Sequence, residues 1–212
     1  MIGNLSLMTI LYRLPALFVG FTFHEYAHAW VADRLGDDTP RLTGRLRLDP
    51  FAHIDILGML MLLIAGFGWA KPVQVNPGRM RGRHAMLWVS LAGPLMNLII
   101  GFIFTGILVA MLFYGAYGNI WYNIVSEMVS INLVLCVFNL IPLPPLDGYN
   151  IVKNFIHPRN LKAMWTFEKY GPLLLMALVL LGFTSGILSN IVGFLLAHMV
   201  ELFVWLFTLL GL

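Results

Sequence analysis

The sequence predicts a polytopic, all-α membrane bundle of four or five transmembrane helices, with a small membrane-associated β element and a re-entrant segment. Three observations point there. Of the 212 residues, 59% are apolar and only 11% charged, against about 25% charged in soluble domains, and mean hydropathy is +0.84. Several apolar stretches reach the roughly 20 residues that one crossing requires, leaving little chain for a soluble domain. Between the first two lies a segment too short to cross, bracketed by stretches that alternate polar and apolar residues.

The first span is expected from about Leu7 to Trp30, with Pro15 as a kink. A basic n-region is absent and the apolar run exceeds signal-peptide length, so this span is expected to be retained. Arg41-Leu42-Thr43-Gly44-Arg45-Leu46-Arg47-Leu48 alternates between Pro40 and Pro50 and reads as a strand. Pro72-Val73-Gln74-Val75, closed by Asn76-Pro77-Gly78, reads as a second. Ile54 to Trp69, holding Gly58, Gly66 and Gly68, is marginal for a crossing and reads as re-entrant. Non-helical backbone survives at membrane depth only where protein or a water-filled cavity satisfies it, which already hints at an aqueous pocket.

A second span covers Ala85 to Phe113 and contains Ala92-Gly93-Pro94-Leu95-Met96-Asn97, where glycine permits close helix approach. A third runs from Ile120 to Ile141 and stops at a proline-rich corner, Asn139 to Gly148, that no helix continues through. The tail from Pro172 to Leu212 holds two short spans broken near Thr184-Ser185-Gly186, or one span and a surface helix. The whole chain reads as one domain, its core at about 7–155 and apolar C-terminal helices at 165–212.

Charge sets the topology. Eight of thirteen Lys and Arg residues fall between Arg34 and Arg83, four between Lys153 and Lys169, and one is Arg13. The positive-inside rule puts both basic segments in the cytoplasm and the N-terminus outside. These charges flank spans and include no aromatic platform, so nucleic-acid binding is excluded. The single cysteine, Cys136, forms no intrachain disulfide and reads as a buried hydrophobe.

His24-Glu25-Tyr26-Ala27-His28 is an H-E-x-x-H run in helical sequence. A spacing of four puts both imidazoles on one helix face, where they can share a metal, and Glu25 stands beside that face, placed to take a proton from water. Ionisable residues this close to a span's interior are costly, by about 2.5–3.5 kcal/mol for a charge at the centre, so packing explains them poorly. A catalytic zinc site wants a third protein ligand and an open position. Asp147, past the cytoplasmic end of the third span, matches in depth. Glu127 lies toward the outer end of its span and Cys136 too deep, whereas Asp49 and Asp55 remain rivals.

These motifs together resemble the site-2 protease family of intramembrane zinc metalloproteases, in its short prokaryotic form. The likeness rests on His24 to His28, Ala92 to Asn97 and Asn139 to Gly148, and covers most of residues 15–155. The resemblance implies one zinc per chain held by His24, His28 and Asp147, with Glu25 as general base and Asn139 holding the substrate carbonyl or oxyanion. It also implies that a membrane-protein substrate unwinds and lies extended along the two strands, with Arg41, Leu42, Leu46, Leu48, Val73 and Val75 as contacts. The chain departs from larger members in carrying no regulatory or PDZ-like domain. His53 and Asp55 read as hydrogen-bonding support for a ligand or as anchors of the re-entrant turn. Asn139 also has a plain role open to it, bonding the helix end before Pro142. His84, His157 and His198 read as interfacial or packed. The expected location is the plasma membrane, multi-pass, with the site toward the cytoplasm. The alternatives are a metal transporter, which needs ionisable residues along a through-path, and a non-catalytic scaffold, which has no use for Glu25.

Overall fold

The computed structural model describes residues 7–65, 68–156 and 161–211, and every regular element in them is helical. Helix α1 (Leu7–Arg34) is followed by two single turns, α2 (Thr39–Leu42) and α3 (Pro50–His53), and by the ten-residue α4 (Ile56–Ala65). Helices α5 (Ala85–Phe113) and α6 (Ile120–Asn139) come next, then the short α7 (Asp147–Lys153), α8 (Leu161–Leu180) and α9 (Phe183–Leu209). Among the described residues, four helices are long and apolar enough to cross a membrane: α1, α5, α6 and α9.

Helices α1, α5 and α6 form the central bundle. Lipid supplies no hydrophobic drive to join helices, so small residues that let backbones approach do the work. A Cβ on Gly20 would stand 2.8 Å from Leu135 Cδ1, and one on Gly101 would stand 2.8 Å from Leu133 Cδ2. Helix α9 lies against the outside of α5, its Phe203 ring 4.8 Å from that of Phe102 and over Gly106. Near the N-terminal end of α1, Arg13 pairs with Glu127 on α6 at 3.4 Å, so Glu127 is committed away from His24 and His28. The tail breaks into α8 and α9 at Gly182, whose φ of 75° suits glycine. This is two residues before the expected Thr184–Gly186 break.

The expected β element is absent among the described residues. Pro40, at the first turn of α2, brings the fixed φ that starts a helix. Arg41 then reaches back to Asp33 at 2.7 Å. Arg41 and Leu42 are therefore helical, and Leu46 and Leu48 lie in the loop that follows. Pro72 to Val75 has no ladder partner. Pro72 has no N–H, and the amides of Lys71, Val73 and Asn76 are taken by His53 O, Glu25 Oε2 and Asp37 Oδ2. In Pro72 to Val75 the alternation still reports facing, with Val73 and Val75 partly covered and Gln74 exposed, whereas in Arg41 to Leu48 it does not, since Leu42 and Leu48 are exposed.

The segment expected to be re-entrant holds the short helix α4. Lys71 N donates to His53 O at 2.8 Å, so the two ends of the segment meet. The Trp69 carbonyl packs on Gly58 of α4, where a Cβ has no room. Gly66 lies outside the described residues.

Candidate metal centre

On α1, one helical turn separates His24 and His28, and their rings meet edge to face with centroids 4.6 Å apart. Their Nε2 atoms are 3.0 Å from one another, and each is 3.2 Å from Asp147 Oδ2. Both imidazoles are at least nine-tenths buried. These three residues offer ligand atoms lying within 4.8 Å of one another.

The tautomers follow from the partners behind the rings. His28 Nδ1 is 2.6 Å from the Val89 carbonyl, which can only accept, so Nδ1 carries the hydrogen. His24 Nδ1 is 2.6 Å from Asn97 Oδ1. The Asn97 amide is oriented by its own donations, Nδ2 to Gly20 O at 3.1 Å and to Asn132 Oδ1 at 3.0 Å. His24 Nδ1 therefore also donates. Both Nε2 atoms are left as bare lone pairs facing a carboxylate oxygen, and Asp147 Oδ2 is buried without a hydrogen-bond donor. With both imidazoles neutral, three acceptors converge with no hydrogen between them, an arrangement that a metal cation satisfies.

Their spacing suits zinc. Ligands about 2.0–2.1 Å from a tetrahedral ion stand roughly 3.3 Å from one another, close to the 3.0–3.2 Å seen here. A Cβ added to Gly93 on α5 would fall 2.7 Å from His24 Nε2 and nearer still to His28 Nε2. The missing side chain leaves the cradle open.

Asp147 arrives by way of the proline corner. Leu146 N bonds Leu143 O at 2.9 Å, closing a turn after α6, and α7 then starts at Asp147. Gly148 allows α7 to press against the end of α6, since a Cβ there would stand 2.5 Å from Ile141 O. Helix α7 is tied outward by Tyr149 Oη and Lys153 Nζ, both donating to Glu168 Oε1 at 3.0 and 2.5 Å. Burial and the Glu168 carboxylate push the Tyr149 phenol up to about 12.

Glu25 is 8% exposed and accepts from Val73 N at 2.9 Å through Oε2. The segment that places Val73 is held by Asp37, which is 0% exposed. Asp37 accepts from Thr39 Oγ1 and N and from Asn76 N. Burial works to raise the Asp37 carboxyl, but these bonds and the charge of Arg79 hold it below its ordinary value.

The other residues singled out in the sequence lie elsewhere. Asn139 Nδ2 donates to Leu135 O in its own helix at 2.9 Å, the plain helix-end bond. Asp49 and Asp55 cap helices, accepting from Phe51 N and Gly58 N, so the rivalry for third ligand goes to Asp147. His53 is fully buried and bonds Arg47 O at 2.8 Å, an anchor of the loop. His84 meets Asn154 at 2.8 Å, His198 bonds its own helix at Phe194 O, and His157 is outside the described residues. Cys136 is buried and free.

Sequence reading did not single out Asn132, the Val89 carbonyl or the Val73 amide. The two backbone groups leave no signal in residue identity. Asn132, an amide in the middle of an apolar span, did leave one, because a polar residue there needs a partner.

Comparison with known proteins adds a separate line. The description Peptidase family M50 matches residues 115–182. YwhC of Bacillus subtilis (strain 168) is 44% identical over 82% of this chain and 81% of its own length. Rip2 of Mycobacterium tuberculosis (strain ATCC 25618 / H37Rv) is 31% identical over 91% of this chain and 71% of its own length. Both carry the name "putative zinc metalloprotease". No solved structure matches the chain significantly.

Proposed function

The chain belongs to peptidase family M50, the site-2 protease family of intramembrane zinc metalloproteases, and on that premise we propose that His24, His28 and Asp147 hold its one zinc ion with Glu25 as general base. It is a multi-pass membrane protein and a zinc metalloprotease. The observation that carries the ligand assignment is the convergence of two bare Nε2 atoms and an orphaned carboxylate oxygen at 3.0–3.2 Å.

Bound zinc supplies Lewis acidity, polarising a scissile carbonyl and lowering the pKa of water to about 7. The chain's own residues do the rest. His24 and His28 present Nε2 because Asn97 and Val89 hold their other nitrogens. Glu25, with Oε2 engaged by Val73 N–H, keeps Oε1 for the attacking water, takes its proton and passes it to the leaving amine. Asn139 is placed next to this centre only by the family resemblance. Its role toward the oxyanion requires its amide to leave Leu135 O.

The substrate in this reading is a membrane protein whose transmembrane segment unwinds, since a helix hides its amides in its own ladder. Val73 and Val75 border its path, because the Val73 amide touches the base. The site faces the cytoplasm of the plasma membrane and the N-terminus lies outside. Supporting this, the basic residues after α1 gather at the end of the bundle where α5 begins: Arg81 N bonds Leu35 O, and Arg79 pairs with Asp38. The whole chain acts as one domain. Neither the transporter nor the scaffold alternative gains an observation.

The test is Glu25→Gln, with zinc content and cleavage of a model single-span substrate both measured in the purified full chain. Full zinc content with cleavage lost supports the assignment, and retained cleavage removes Glu25 from its role.

A further inference from the structure

Two asparagines inside the membrane bundle need a reason. Asn97 and Asn132 are each 0% exposed, and an amide buried without partners in an apolar region is strongly unfavourable. Packing α5 on α6 would need only their mutual bond, Asn97 Nδ2 to Asn132 Oδ1 at 3.0 Å. The structure holds more. Asn132 Nδ2 donates to Met128 O at 2.8 Å, which fixes Asn132 with Oδ1 outward. Asn97 then spends both amide hydrogens, on Asn132 Oδ1 and Gly20 O, and turns Oδ1 to His24 Nδ1 at 2.6 Å.

This chain of bonds has a single direction. Flipping the Asn97 amide would set an NH2 against the His24 Nδ1 hydrogen and an oxygen against both Gly20 O and Asn132 Oδ1. Three favourable contacts would become three repulsive ones. The orientation of Asn97 is therefore set by two backbone acceptors, Gly20 O directly and Met128 O through Asn132, and is read out at His24. The alternative His24 tautomer, with hydrogen on Nε2, would put that hydrogen among the ligand atoms and leave Nδ1 bare against Asn97 Oδ1.

We propose that Asn97, locked by Asn132, is a positioning residue that selects the zinc-binding tautomer of His24 and so sets the metal affinity of the site. This rests on the ligand assignment above. An amide suits the task better than a carboxylate because it fixes the hydrogen without adding charge beside His24. His28 needs no such residue, since the Val89 carbonyl cannot turn round.

The experiment is a zinc titration of the purified, detergent-solubilised full chain against a chelator of known affinity. The cobalt-substituted absorption spectrum and the thermal unfolding of the metal-free form are recorded alongside. Asn97→Ala is expected to weaken zinc about 10–100-fold, the usual effect of losing a ligand's hydrogen-bond partner, and to alter the cobalt spectrum. Asn97→Asp still accepts from Nδ1 but turns its second oxygen to Gly20 O and Asn132 Oδ1, so it is expected to bind zinc more tightly than Asn97→Ala and less tightly than wild type. Asn132→Leu is expected to show a smaller loss in the same direction, because Asn97 then keeps only the Gly20 carbonyl to hold its orientation.

If Asn97→Ala does not fold, the double variant Asn97→Leu with Asn132→Leu replaces both partners of the interhelical amide bond by apolar groups, so no buried amide is left without its partner and His24 Nδ1 is the one side-chain group deprived of a bond. It is expected to fold and bind zinc weakly. Wild-type zinc affinity in a folded Asn97→Ala or double variant, with only the metal-free melting temperature changed, overturns the proposal and leaves a packing role. His24→Ala is the control. If it binds zinc as wild type does, the ligand set itself is wrong and the inference goes with it.

Discussion

The amide of Val73 donates to Oε2 of Glu25 across 2.9 Å, joining a loop after α4 to a carboxylate on the first transmembrane helix. The two are 48 residues apart in sequence. Their meeting orients the base and leaves one of its oxygens free. A hydrogen bond to a charged group is worth about 1.5–3 kcal/mol.

Val73→Pro removes this donor alone, whereas Val73→Ala keeps it. The proline variant is expected to lose roughly 10- to 100-fold in kcat/KM, matching that energy, with zinc content unchanged. Equal activity in the two variants would mean that Val73 N–H does not orient Glu25.

Gly93 faces both zinc-ligand imidazoles from α5. Gly93→Ala puts a methyl 2.7 Å from His24 Nε2, inside the space the metal needs. Zinc affinity is expected to fall by about a hundredfold or more, beyond the usual effect of disturbing a ligand's support. Stoichiometric zinc in the purified variant would contradict this.

Gly148 presses α7 against the carbonyls of Leu140 and Ile141, just past the end of α6. Gly148→Ala overpacks that contact, at about 1–3 kcal/mol, and moves the residue before it, Asp147. The expected outcome is a lower melting temperature together with weaker zinc binding. A variant destabilised without any change in zinc affinity would separate the corner from the site.

Asp37 holds the Val73 segment through Asn76 N. Its folded pKa is lowered, so its contribution to stability is fully present above the ordinary carboxylate value of about 3.9. That contribution is lost as pH falls through the lowered folded value. Near neutral pH, Asp37→Asn is expected to melt below wild type, by roughly 2–4 °C for each kcal/mol lost. The gap should close on acidification. A gap that stays constant with pH would show that the charge of Asp37 plays no part.

Four candidate spans and the convergence of His24, His28 and Asp147 were legible because each leaves a mark in residue identity. A crossing needs a long apolar run, two ligands on one face need a spacing of four, and the Pro142 to Pro145 corner forbids a continuing helix. The strand reading failed because alternation does not specify a neighbouring strand, and in Arg41 to Leu48 it does not even mark a covered side, since Leu42 and Leu48 are exposed. In Pro72 to Val75 the cover is a carboxylate on α1 and two loop groups, none of which the local pattern identifies. At Arg41 the proline before it started a turn of helix. The supporting amides of Asn97 and Asn132 became meaningful only once three helices were packed, because each acts on a residue more than 30 positions away.

The most direct test of the centre is zinc X-ray absorption on the purified full chain, wild type and Asp147→Ala. The expected spectrum is one zinc per chain with two imidazoles and a carboxylate oxygen at about 2.0–2.2 Å, and a loss of zinc or a changed oxygen shell in the variant. A sulfur shell near 2.3 Å, or a spectrum that Asp147→Ala leaves untouched, would contradict the assignment.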